Sequence, residues 1–92
     1  MTDFRIFETE QFQKDLKQIV RSGMPKLVNK LNEYVYPQLR SNPATGANIK
    51  RLKGQYSDLW RYRIGAWRFF YRIDEKRRVV SMVAAAHRSS AY

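Results

Sequence analysis

Ninety-two residues, 43% of them apolar and with five Phe, six Tyr and two Trp, make one folded domain (residues 1–92) with room for a single core. The lack of cysteine excludes a disulfide framework and a thiolate metal site, and no apolar run reaches the length of a membrane span or signal peptide, so a cytoplasmic chain is expected. The net charge of +10 is uneven: residues 1–49 hold seven Lys/Arg against five Asp/Glu, and residues 50–92 hold eleven against three, which points to a polyanionic partner.

Phe4-Arg5-Ile6-Phe7 alternates apolar and polar residues and is expected to open the chain as a strand. Thr9 can cap a helix whose apolar positions are Phe12, Leu16, Ile19 and Val20. Gly23 should stop it, and Pro25 fits the first turn of a second helix with the stripe Leu27, Val28, Leu31, Tyr34, Val35 and Leu39. Pro37 should kink or shorten that helix. Residues 42–57 read as a connecting loop. Strands are then expected over about 58–64, 67–74 and 78–86, the last apolar enough to be buried on both faces. The order βααβββ implies an α+β fold, with a helical hairpin packed on one face of a small, mostly antiparallel sheet.

Gly65-Ala66 has the Gly-first form of a type II′ hairpin loop. That turn sets Ile64 against Trp67, Arg63 against Arg68, Tyr62 against Phe69, Arg61 against Phe70 and Leu59 against Arg72. By alternation Trp60, Tyr62, Ile64, Trp67, Phe69, Tyr71 and Ile73 share the face that meets the helices. Arg61, Arg63, Arg68 and Arg72 share the other, with Leu59 and Phe70. Like charges directly opposite in a sheet are destabilising, so the Arg63–Arg68 pair calls for an anion. Cations on patterned strands also argue against a merely solubilising basic surface.

The catalytic inventory is narrow. One histidine, no cysteine and no close cluster of His, Asp and Glu leave metal catalysis poorly supplied, and no Gly-rich phosphate loop or nucleophile elbow is present. Cationic and phenolic chemistry remains. Metal-free RNA cleavage needs a base near the 2′-OH, cations on the phosphate and a proton for the departing 5′-oxygen, roles that Lys, Arg, Tyr and His can divide. The end of the last strand, His87-Arg88-Ser89-Ser90-Ala91-Tyr92, offers such groups, although a lone histidine after an apolar strand is more often structural.

Leu52-Lys53-Gly54, the run Trp60 to Gly65 (WRYRIG), the run Trp67 to Tyr71 (WRFFY) and the closing His87-Arg88…Tyr92, in that order and spacing, resemble the RelE/ParE superfamily of toxins from toxin–antitoxin modules. The resemblance spans nearly the whole chain. It implies a microbial-ribonuclease-like α+β fold, no cofactor or metal, and neutralisation by a cognate acidic antitoxin. RelE-type members cleave mRNA in the ribosomal (30S) A site, whereas ParE-type members poison DNA gyrase. By the first comparison Lys53 or Tyr92 would activate the 2′-OH. Arg61 and Arg88 would hold the scissile phosphate, and His87 or Arg88 would protonate the leaving group. Lys50, Arg51, Arg63, Arg68 and Arg72 would contact flanking RNA. The RelE branch tends to carry lysine where Arg51 stands; an arginine does not readily lose a proton, so Arg51 would act electrostatically.

Overall fold

A computed structural model describes residues 3–89. Strand β1 (Arg5–Glu8) leads to α1 (Glu10–Arg21), then α2 (Pro25–Lys30), a π-helical turn (Leu31–Val35) and α3 (Tyr36–Ser41). Next come β2 (Ile49–Arg51), a 3-10 turn (Gly54–Tyr56), β3 (Trp60–Ile64), β4 (Trp67–Asp74) and β5 (Val79–His87). The strands form one sheet in the order β1-β5-β4-β3-β2. β1 runs parallel to β5 and every other pairing is antiparallel.

The helix ends follow the expected chemistry. Thr9 accepts a hydrogen bond from the Phe12 N–H with its hydroxyl (3.2 Å), and Gly23 takes the left-handed φ of 89° that ends α1. Pro37 is expected to kink or shorten the second helical segment; it does not shorten it, since the segment runs on to Ser41, but it distorts it locally. Without an N–H it cannot donate to the Glu33 carbonyl, and the helix answers by widening: the Tyr36 N–H reaches back to the Leu31 carbonyl instead. Leu31, Val35 and Leu39 stay buried through this turn, but Tyr34 is turned outward and Tyr36 goes in.

One core joins these layers. Phe12 and Ile19 of α1, with Leu27, Leu31, Val35 and Leu39 of the second helical segment, pack on Tyr62, Phe69, Tyr71, Val80 and Met82 of the sheet. The Phe12 and Phe69 rings meet edge to face at 6.2 Å, an arrangement that contributes about 0.5–1.5 kcal/mol beyond the area buried. Two phenols tie the helical segment and the chain leaving it to the sheet: the Tyr62 hydroxyl meets Gln38 Oε1 (2.8 Å), and the Tyr71 hydroxyl donates to the Pro43 carbonyl just past α3 (2.7 Å).

The β3–β4 register is the one read from Gly65-Ala66, with Ile64 on Trp67, Arg63 on Arg68, Tyr62 on Phe69 and Arg61 on Phe70. Gly65 has φ 57°, whereas Ala66 is not among the residues of positive φ, as a type II′ loop requires. Two expectations fail. The stretch 42–57 is not all loop: Ile49–Arg51 adds a fifth strand at the sheet edge, with Lys50 opposite Arg61. Strand β5 is fully buried only at Val80 and Met82, its remaining residues being half-buried, because the helices cover one face of the sheet.

Candidate nucleic-acid interface

The cation cluster is built by cross-strand pairing. Lys50 of β2, Arg61 of β3 and Phe70 of β4 form one row across the sheet, and Arg63 and Arg68 form the next. On β5 these rows end in Ala84 and Ala86, whose small side chains leave space over the sheet. After β2 the chain turns at Gly54 (φ 69°), which sets Lys53 on the rim. Lys50, Lys53, Arg61, Arg63 and Arg68 thereby line a single open basin of about 310 Å³, floored in part by Leu52, and none of its lining residues is acidic.

Arg61 sits deepest in charge. Partial burial and the positive charges of Arg68 and Arg63 push its pKa below the ordinary arginine value. The guanidinium stays protonated, so this repulsion is stored until an anion arrives. Arg63 directs Nε to the Gly65 carbonyl (3.2 Å), which anchors its stem at the hairpin tip. A phosphate in the basin would find several charge-assisted donors at once, each worth about 1.5–3 kcal/mol.

Other expected contacts are differently employed. Arg51 also borders the basin, but its Nε donates to the Ser57 carbonyl (2.8 Å) and its guanidinium lies 5.8 Å from the Trp60 ring centre. Arg72 is on the open face yet pairs with Asp58 (2.8 Å), whose carboxyl is held below its usual range first by that hydrogen bond. Asp58 is the site residue that charge counting missed. It lies just before β3, beyond the paired residues, so strand alternation did not place it beside Arg72.

The strand terminus divides. A one-residue shift between Phe70 and Tyr71 in the β4–β5 ladder leaves Val83 as the extra residue and exchanges the faces beyond it. Val80 and Met82 point to the core before the shift; Ala85 packs against it afterwards. His87 therefore falls on the helix side, opposite Trp67, with the two rings 5.4 Å apart and nearly perpendicular. Its Nδ1 is 2.8 Å from the Ser89 hydroxyl. His87 is thus on the opposite side of the sheet from Arg61 and Arg68. Arg88 follows directly after β5, exposed, its N–H bonded to the Ala66 carbonyl (2.7 Å). Tyr92 lies outside the described residues.

Among the described residues no helix is long and apolar enough to cross a membrane. The fold is similar to that in the RelBE2 toxin–antitoxin complex from Mycobacterium tuberculosis (TM-score 0.80, 22% identity, 98% of this chain and 97% of that one). It is also similar to the YoeB/ParE toxin from Agrobacterium tumefaciens (0.74, 21%, 91% and 98%). The archaeal RelE–RelB complex from Pyrococcus horikoshii OT3 gives 0.69 at 22% identity, over 99% of this chain and 100% of that one. No curated protein sequence matches. The model of the family described as the ParE toxin of the type II toxin–antitoxin system, parDE, matches residues 6–92. The chain belongs to that family, and so to the RelE/ParE superfamily of type II toxin–antitoxin toxins.

Proposed function

We propose that this toxin is a metal-independent endoribonuclease that cuts mRNA on the ribosome in the cytoplasm and is held silent by an acidic antitoxin. The observation that carries this reading is the basin: six cations, no acidic lining residue, and Arg61 among like charges that an RNA phosphate would neutralise. Arg61 and Arg88 hold the scissile phosphate as charge builds on it, while Arg63 and Arg68 grip its neighbours. Lys53 at the rim and Tyr92 in the tail are the candidates for 2′-OH activation. With His87 turned to the other face, Arg88 would steady the charge on the leaving oxygen by hydrogen bonding, without releasing its own proton. The antitoxin reading draws on the chain's +10 charge and on similar folds that occur in toxin–antitoxin complexes.

The second reading is a gyrase inhibitor without nuclease activity, favoured by the match to the ParE family. Inducing the wild-type chain and Arg61→Ala in cells, then mapping transcript ends, separates the two. The nuclease reading expects codon-phased cuts in translated messages that disappear with Arg61→Ala. Intact messages beside gyrase-bound DNA breaks would replace it with the second.

A further inference from the structure

A second groove, of about 210 Å³, lies between the π-helical turn and the tip of the β3–β4 hairpin, with Lys30, Tyr34, Asn48, Arg63 and Gly65 among its walls. On the other flank of Tyr34 a wider depression of about 550 Å³ carries Lys26, Asn29, Lys30 and Glu33. Arg63 lines both this groove and the arginine basin, and Lys30 and Tyr34 line both the groove and the depression. The surfaces form one run from the sheet onto the helices. Its cations are Lys26, Lys30 and Arg63, against the single carboxylate of Glu33.

Tyr34 is the notable member. It is 65% exposed between the buried Leu31 and Val35, in a turn whose widening follows from Pro37. Such turns recur at functional sites. An exposed ring between cations is the arrangement on which a nucleobase stacks while its phosphates are held. The groove is too small for a partner helix, about 10–12 Å across, but suits one planar base, with Asn48 able to meet its edge.

We propose that this groove is a second RNA subsite, in which Tyr34 stacks a base of the single strand leaving the basin while Lys30 and Arg63 hold the adjoining phosphates. The inference rests on the basin being an RNA site and extends the strand's path past it.

The test is fluorescence anisotropy with a labelled single-stranded RNA dodecanucleotide and with an abasic strand of the same length. Tyr34→Ala should weaken the base-bearing RNA about tenfold, with Tyr34→Phe close to wild type and thermal melts unchanged. The abasic strand should bind wild type and Tyr34→Ala alike. Equal RNA affinity for wild type and Tyr34→Ala, or an equal loss on both strands, would overturn the subsite. If Arg61→Ala weakened RNA binding in that case, the basin reading would survive alone. A wild-type chain that bound neither strand would overturn both.

Discussion

Arg63 stands directly across the β3–β4 ladder from Arg68, and the two face Arg61 across the same basin. Opposed like charges cost stability, so the pair is kept at the fold's expense. Replacing Arg68 by threonine should raise stability by about 0.2–1 kcal/mol while weakening RNA binding. Urea unfolding beside a binding titration reads both. A variant that was less stable and bound RNA normally would mean that the pair is structural.

The same cluster fixes a salt response. Single-stranded RNA binding should fall with log salt at a slope of about −0.7 for each phosphate neutralised. Removing one cation, as in Arg63→Ala, should flatten that slope by about 0.7, uniformly across RNA sequences. An unchanged slope would place Arg63 outside the bound strand's path.

Where β1 ends, the edge of β5 is taken over by α1: Asp15 Oδ2 accepts the Ala85 N–H (2.9 Å), next to the ladder shift that sets Ala84 and Ala86 beside Phe70 and Arg68. Asp15→Ala leaves that part-buried N–H without its acceptor and should cost about 1–3 kcal/mol. Denaturant unfolding measures the loss. Hydrogen exchange at Ala85 should accelerate in the variant.

Burial, then the neighbouring Tyr62, raises the Tyr71 pKa above its ordinary 10.0, and burial followed by the Glu8 hydrogen bond does the same for Tyr36. The unfolded chain therefore loses these protons before the folded one does. Their contribution is complete below about pH 10 and is lost as pH rises past it. Tyr71→Phe should lessen the decline in stability above pH 10, read as a smaller fall in Tm between pH 9 and 11. An identical decline in the variant would show that other groups govern alkaline unfolding.

The sequence reveals strands more readily than it reveals faces. The hairpin was legible because two residues, Gly65 and Ala66, fix every pair along β3 and β4. Strand β2 was not, since three residues with two adjacent charges carry no period, and its pairing is supplied by β3. The side taken by His87 depended on one extra residue at Val83, in a run of small apolar residues that reads the same with or without a bulge. Tyr34 fitted the helical stripe, and only the i→i+5 turn imposed by Pro37 moved it out to solvent. The basin itself was largely readable, because its cations sit on the regular part of the sheet.

If the Arg61 basin works on RNA, its loss must slow cleavage of message. Purified wild-type toxin and Arg61→Ala can be added to ribosomes stalled with a defined codon in the A site, with message length followed over time. The wild type should cleave at that codon, and a folded Arg61→Ala should cleave at least about a hundredfold more slowly, on the order of one lost phosphate contact. Equal cleavage by both, or none by a wild type that instead arrests purified gyrase, would contradict that role for the basin.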